Sequence, residues 1–327
     1  MPKPVEYLSG SETDHSLVTV VVPFYNRLQY LPQAIRSVLD QTHPKIQLIV
    51  VDDGSDVDSQ ATLEPFKDRI ELYKKANGGL ASARNLGIAH AKGEYLLFLD
   101  DDDFLEAGAV EALLTTLQSG SGGVWAAGRF AFVDAEGCVI RGRRQCLIQS
   151  GDNYASLVKE CVITAPSSVL ARTDVVREVG CFDESFRLSE DYDLWLALAR
   201  DHPILATAEV VTNYRIHPAQ ISRTQSGRHI EFHIKVLRKQ RARAREGFAE
   251  AFDKSIASLH FDYGDLCYLN GMQEKAREQW TASLPWMNIK DRFRLLPRFV
   301  KSFLPTDILM GLRKMAFLSR SMLRRSN

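Results

Sequence analysis

Residues 95 to 104 read Tyr-Leu-Leu-Phe-Leu-Asp-Asp-Asp-Asp-Phe. Five apolar residues run straight into four carboxylates, and no other stretch constrains the fold as tightly. The apolar run is short and follows Gly93-Glu94, so it predicts a strand buried on both faces. The acids then fall at the strand's C-terminal end, where ligands collect in an open α/β sheet. Four adjacent carboxylates repel one another unless water or a cation lies between them, and an oxygen-rich donor set suits Mg2+ or Mn2+. The competing reading is an acidic solvated turn. The position after a buried strand favours the metal.

The preceding segments alternate. Leu17 to Val22 is short and β-branched and predicts a central parallel strand, ended by Pro23. A loop, Phe24-Tyr25-Asn26-Arg27, leads to a helix with Pro32 in its first turn and Leu31, Ile35, Val38 and Leu39 at helical spacing. Gln47 to Val51 predicts a second strand capped by Asp52-Asp53-Gly54-Ser55, followed by a helix over 60–67 and a third strand over 70–73. Asn77-Gly78-Gly79 is a turn, and 80–91 is a helix with small residues on one face. This alternation predicts right-handed crossovers and a mainly parallel sheet with helices on both faces, an α/β class. No Gly-x-Gly-x-x-Gly and no Gly-x-x-x-x-Gly-Lys-Ser/Thr follows the first strand, so a bound nucleotide would be held by side-chain carboxylates and a metal rather than a glycine cradle.

Beyond residue 104 the pattern predicts a helix over 107–117, a strand over 124–133 and a further short strand after the Ala135-Glu136-Gly137 turn. Ser167 to Ala171 is extended, and Thr173 caps a short helix that Gly180 ends. Ser189 is the expected N-cap of a helix whose buried stripe is Leu194, Trp195, Leu198 and Ala199. Glu190, Asp191 and Asp193 crowd its first turn, where the macrodipole favours anions and keeps a carboxylate ionised. A strand over 204–211 precedes Tyr214-Arg215-Ile216-His217-Pro218.

From about Arg228 the pattern is helical only, giving an all-helical C-terminal extension with a helical pair turning at Asn270-Gly271. The stretch from Pro285 to Asn327 holds ten basic residues against Asp291 and Asp307, interleaved with Phe293, Leu296, Phe303 and other apolar residues. Such helices can lie on anionic membranes, and a docked helix pair with a solvated basic face is the alternative.

The chain has 327 residues, zero formal net charge and ordinary apolar and charged fractions, so it reads as a large domain with an appended part and no nucleic-acid partner. The five cysteines, Cys138, Cys146, Cys161, Cys181 and Cys267, form no Cys-x-x-Cys pair. Neither a zinc site nor a disulfide framework is expected, and free thiols fit a reducing cytosol. Residues 1–16 are polar with no secretory pattern, and no apolar run approaches the ~18 residues of a membrane span. The expectation is a cytoplasmic protein, soluble or peripherally bound at the inner face of the plasma membrane.

Taken together, Val20-Val21-Val22-Pro23-Phe24-Tyr25-Asn26, Val50-Val51-Asp52-Asp53-Gly54-Ser55, Asn77-Gly78-Gly79 through Ala83-Arg84-Asn85, Leu99-Asp100-Asp101-Asp102-Asp103 and Glu190-Asp191 resemble, in the same order, the family-2 glycosyltransferases of the GT-A fold. The resemblance covers about Leu17 to Arg223. Each motif alone is weak, but five in order are not a chance match. The Gln-x-x-Arg-Trp signature of processive synthases is absent. The resemblance implies a non-processive, inverting transferase of hexosyl type that uses a nucleotide-diphosphate sugar, a UDP-sugar first of all. Its acceptor would be a glycan or lipid-linked hydroxyl in cell-surface polysaccharide or glycolipid assembly. It implies a tail over 1–16 and a GT-A domain over 17–225, split into a nucleotide-binding half (17–103) and an acceptor half (104–225), with the helical region at 226–327.

The family's roles carry over by position. Pro23 and Tyr25 would contact the base, as would Asp52 and Asp53, with Asp53 the expected partner of a base N–H. Arg84 would lie near the diphosphate, a helix-surface ion pair being its alternative. Asp100/Asp102 and Asp101/Asp103 both fit the family's Asp-x-Asp. The Leu-Asp-x-Asp-Asp form favours Asp100 near the ribose and Asp102 on Mn2+ or Mg2+, leaving Asp101 beside the nucleotide sugar. Asp191 would be the catalytic base and His217 a metal or phosphate ligand. A nucleotidyltransferase of similar fold should carry a glycine-rich, basic loop after the first strand, which Pro23-Phe24-Tyr25-Asn26 is not. A non-catalytic sugar-nucleotide sensor or scaffold would be expected to lose Asp102 or Asp191, and both are present.

Overall fold

The computed structural model describes residues 16–119, 122–141, 148–218, 220, 226–287 and 289–304. The tail at 1–15, Cys146 and the basic stretch from 305 to 327 lie outside the described residues. Along the chain the elements are β1 (Val18–Phe24), α1 (Leu31–Leu39), β2 (Ile46–Asp52), α2 (Gln60–Leu63), β3 (Glu71–Lys74), α3 (Leu80–His90), β4 (Tyr95–Phe98), β5 (Phe104–Leu105), α4 (Ala109–Ser119), β6 (Trp125–Val133), α5 (Tyr154–Lys159), β7 (Val169–Arg172), α6 (Thr173–Glu178), α7 (Glu190–Asp201), β8 (Leu205–Arg215), α8 (Ser226–Arg241), α9 (Ala249–Leu269), α10 (Gln273–Ser283) and α11 (Ile289–Lys301).

The chain packs as two compact units that interleave in sequence. The first is Met1–Ser150, Ala165–Cys181 and Ile204–Arg215, and the second is Gly151–Thr164, Phe182–Pro203 and Ile216–Asn327. The helical unit therefore draws on two earlier segments, besides the residues after 225 that composition alone picks out.

The first unit holds one eight-stranded sheet of order β3-β2-β1-β4-β7-β6-β8-β5. β3, β2, β1 and β4 are mutually parallel, and β6 is parallel to β8. β7 runs antiparallel to both β4 and β6, and β5 antiparallel to β8. The sheet is mixed and mainly parallel, as expected. Val18, Val20, Val22, Leu48, Val50 and Leu97 face α1 and α4 in one core. On the other face Val21 meets Gly87 of α3 so closely that a Cβ at 87 would overlap its γ-carbons. Both faces are thus covered, which is why these strands are apolar throughout rather than alternating.

Several local expectations change. Pro23 does not end β1, which pairs with β2 as far as Phe24 and Asp52. The amide or carbonyl of residues 18 and 24 turns to the β2 side, and the carbonyls of 17 and 21 turn to β4. The proline's missing N–H therefore points to the β4 side, past the last β4 partner, Phe98, and no ladder bond is lost. The helix expected over 60–67 divides into α2 and a 3-10 turn at Glu64–Phe66, because Pro65 cannot continue an α-helical ladder. The short strand after Gly137 is a single bridge between Val133 and Val139. Residues 166–168 form a 3-10 turn, so the extended segment starts only at Val169. Thr173 is the first residue of α6 rather than its cap, and its hydroxyl donates to the Gly93 carbonyl at 2.6 Å.

In the second unit α5 and α7 are joined by the buried Tyr192, whose hydroxyl donates to the Leu157 carbonyl at 2.6 Å. The predicted α9/α10 pair turns at Asn270-Gly271, with Gly271 at φ +79°. Tyr263, Cys267, Ala276, Trp280 and Leu295 make a core of their own. No helix among the described residues is long and apolar enough to cross a membrane. Cys138, Cys161, Cys181 and Cys267 are free thiols.

Candidate active site

Parallel strands place their carboxyl ends side by side, and in the first unit this gathers most of the residues singled out by sequence. β1 delivers Pro23, buried within the strand, and then Tyr25, which is 47% exposed. β2 delivers Asp52 and Asp53, and β4 delivers the four aspartates. The loops after β1 and β2 are tied together. The Asn26 amide donates to Ser55 Oγ at 2.9 Å, and the Asp56 amide donates to Asn26 Oδ1 at 2.8 Å.

Asp52 and Asp53 are both buried, for different reasons. Asp52 Oδ1 accepts the Ser55 amide at 2.7 Å, closing the turn, while its Oδ2 sits 3.3 Å from Lys74 Nζ without hydrogen-bond geometry. Asp53 accepts the amides of Gly78 at 2.9 Å and Gly79 at 2.7 Å, and Lys75 Nζ at 3.0 Å. It clamps the Asn77-Gly78-Gly79 turn to the end of β2. Gly54, at φ +80°, fits this clamp because a Cβ there would lie 2.5 Å from the Asn77 nitrogen.

The acid run is not uniform. Asp103 is buried, accepting Ser167 Oγ at 2.9 Å and the Arg215 amide at 3.0 Å. Asp101 is buried against Arg27, whose Nε donates to it at 3.2 Å, and Arg27 Nη1 lies 2.9 Å from Asp102 Oδ2. Asp100 keeps 24% of its side chain exposed and accepts Arg84 Nη2 at 2.6 Å. Burial pushes the Asp101 carboxyl up to about 7, against the pull of Arg27. Burial, with Asp102 and Asp100 adding to it, holds Asp103 well above the usual carboxylate range. Burial pulls the Arg27 guanidinium down, but the neighbouring acids, Asp101 first, hold it above its ordinary value. The charge of the run is thus balanced in part by arginines.

Arg84 lies on α3, fully buried, rather than on a helix surface. Arg215 is also fully buried. It donates to the Asp102 carbonyl at 2.8 Å, to the Ala135 carbonyl at 2.7 Å and to Gln33 Oε1 at 2.7 Å, and its guanidinium lies 4.4 Å from the Tyr30 ring centre. Sequence reading missed Arg27, Lys75, Ser167 and Arg215. Arg27 stood in a loop already marked by its place after β1. The other three reach the site from 22 to 113 residues away and carry no short-range signal.

Asp100 and Asp102 supply hard oxygen donors that fit Mg2+ or Mn2+. Among the described residues no three His, Cys, Asp or Glu side chains form a closed cage. A divalent ion here would take one or two carboxylates and complete its shell with phosphate oxygens and water, the habit of Mg2+ in phosphate sites.

In the second unit Ser189 occupies the N-cap position of α7, but at φ +63° and without a capping bond, its buried hydroxyl unpartnered. Asp191, half-buried, accepts the Tyr192 amide at 2.8 Å. Asp193 does something different. It is held by α8 through Lys239 Nζ at 2.6 Å and Gln240 Nε2 at 2.6 Å, and Lys239 also reaches Asp183 at 2.8 Å. This pins the first turn of α7. The Cys161 thiol is pushed well up by burial and by the charge of Asp191. His217 follows β8, belongs to the second unit and is buried.

Residues 19–180 match the model of the glycosyl transferase family 2. An uncharacterised glycosyltransferase of Rickettsia typhi is 28% identical over 261 residues, which cover 74% of this chain and 79% of that protein. Among solved structures, S. aureus TarS is similar with a TM-score of 0.62 at 18% identity, over 88% of this chain and 52% of that one, so the chain spans about half of it. The 1–349 portion of TarS in complex with UDP-GlcNAc gives 0.59 at 15% identity, over 88% and 79%. The Pyrobaculum calidifontis mannosyltransferase PcManGT in complex with GDP-Man and Mn2+ gives 0.56 at 14% identity, over 95% and 88%.

Proposed function

The chain belongs to glycosyl transferase family 2, and from that premise we propose that it moves one sugar from a nucleotide-diphosphate donor to an acceptor hydroxyl with inversion at the anomeric carbon. The observation that carries this reading is the gathering of Pro23, Asp52, Asp53, Asp100 and Asp102 at the carboxyl edge of three adjacent parallel strands.

The first unit is the donor unit. Tyr25, exposed beside this edge, and Asp52, buried in its turn, meet the base. Asp53 is assigned the base N–H, which the one lone pair left on its Oδ2 can still accept beside the turn amides and Lys75. Of the two frames of the acid run, Asp100/Asp102 is supported by the burial of Asp103 and its bonds to Ser167 and Arg215, which give Asp103 a structural role. Asp100 takes the ribose, positioned by Arg84, which reaches the donor through Asp100. Asp101 holds Arg27 across the site, and Arg27 offers its guanidinium to the diphosphate when the donor enters. Asp102 would hold the divalent ion, and the chemistry supplied with that ion bound would be neutralisation of the charge on the departing nucleoside diphosphate. For His217 as a further ligand, the resemblance is the support.

Asp191 is assigned the base that takes the acceptor hydroxyl's proton as its oxygen attacks. Pinning of Asp193 by α8 holds that turn in place. UDP-sugars are the first donors to try, since TarS 1–349 is described with UDP-GlcNAc, and GDP-mannose follows from PcManGT. The acceptor is a glycan or lipid-linked hydroxyl. The protein is incubated with Mn2+, a panel of such donors and candidate acceptors, and free nucleoside diphosphate is measured. Release with one donor, abolished by EDTA, is expected. A donor that binds and is never consumed, with any acceptor, would make the protein a sugar-nucleotide sensor instead.

A further inference from the structure

Helix α11 gives one face to its own unit and leaves another in solvent. Leu295 is 2% exposed and packs, with the partly buried Phe299, against the Tyr263, Cys267, Ala276 and Trp280 core. At ~100° per residue, Ile289, Phe293, Leu296 and Val300 fall within about 60° of arc on a different face. They are 74%, 68%, 54% and 60% exposed. Trp286 before the helix and Phe303 after it are exposed too. Single exposed apolar residues are ordinary, but an ordered stripe of large ones marks an interaction surface.

Charge decides the occupant. About 100° round from the stripe, on the side away from Leu295 and Phe299, lie Lys290, Arg294 and Lys301, all exposed. Arg298 is paired with Asp265 at 2.8 Å, and Asp291 is the one acid within α11. A second copy of this chain would bring the same basic rim and set like charges together. A bilayer containing anionic lipid offers an apolar layer to the stripe and phosphates to the cations, and the headgroup level suits Trp286.

We infer that α11 lies in the plane of an anionic bilayer, with Ile289, Phe293, Leu296 and Val300 inserted and Lys290, Arg294 and Lys301 at the headgroups. The inference does not draw on the catalytic reading and stands or falls apart from it.

The test is co-sedimentation of the full chain with vesicles of phosphatidylcholine mixed with phosphatidylglycerol, against vesicles of phosphatidylcholine alone. The protein pellets with the mixed vesicles, and less so as salt rises, because surface charge attraction is screened. The double variant Phe293→Asp/Val300→Asp loses about a hundredfold or more in partitioning, two inserted side chains being replaced by anions. Both positions are exposed, and an unchanged thermal unfolding curve confirms that the fold survives. Lys290→Glu/Lys301→Glu gives an intermediate loss. Three results overturn the inference: no binding to mixed vesicles, binding that the apolar substitutions leave intact, or a dimer in light scattering that those substitutions split.

Discussion

Arg84 and Asp100 form an ion pair at 2.6 Å in which the arginine side chain is 1% exposed and the aspartate 24%. A guanidinium on α3 thereby fixes the first carboxylate of the acid run. Arg84→Met removes the partner and keeps most of the volume. Breaking a buried pair costs about 3–5 kcal/mol, and the solvation left to Asp100 puts this one at the lower end. Urea unfolding reads the loss, and donor titration by calorimetry should weaken with it. Unchanged stability would show that the pair is a bystander.

Asp102→Asn addresses the cation. Changes beside a metal ligand already cost roughly 10- to 100-fold in affinity, so loss of a ligand costs at least that. Mn2+-dependent donor binding should fall accordingly while binding of the free nucleoside stays close to wild type. An equal loss for both ligands would move Asp102 from the cation to the base.

Asp191→Asn keeps the shape and the acceptor for the Tyr192 amide but removes the base. Transfer should fall about a hundred- to ten-thousandfold, with donor affinity unchanged. Transfer at the parent rate would remove Asp191 from the chemistry.

The second unit should be acid-sensitive. Burial, with His229 as neighbour, pulls the His233 imidazole down from 6.5 to about 4, beside the Tyr192 ring at 5.0 Å. The folded state thus holds His233 neutral while the unfolded chain protonates it. The stabilisation is complete above pH 6.5 and is lost as pH falls towards 4. It is worth at most about 3 kcal/mol, less whatever water reaches the ring. Unfolding of wild type and His233→Gln between pH 7.5 and about 4.5 should show a steeper decline for wild type. Parallel curves would mean the ring is open to solvent.

Gly87→Ala tests the packing of α3 on β1. Its Cβ would run into both γ-carbons of Val21, which is fully buried. Overpacking of this kind costs about 1–3 kcal/mol, readable as a lower Tm. A gain in stability, as helix propensity alone predicts, would mean that the β1–α3 contact yields easily.

Much of the first unit was legible because its signals are local. Buried parallel strands show as unbroken apolar runs, so β1, β2 and β4 were found within a residue or two. The candidate residues at their ends were found with them. Proline misled in two ways. Pro23 stayed inside β1 because the side it faces has no partner strand, which depends on β4's length. Pro65 did break a helix, but only where a 3-10 turn could carry the chain on. Ser189 had the right chemistry for a cap, yet with its backbone in the left-handed region its hydroxyl makes no capping bond.

What sequence by itself determined is the α/β class, the order of the donor-side motifs and the family, because each rests on residue type and short spacing. What only the tertiary structure decided is which carboxylates are structural. Asp103 is committed to Ser167 and Arg215, and Asp193 to Lys239 and Gln240. It also decided which face of α11 meets solvent. Hydrogen-bond partners and burial are set by residues distant in the chain, and an aspartate reads the same in sequence whether it binds a ligand or a neighbouring loop.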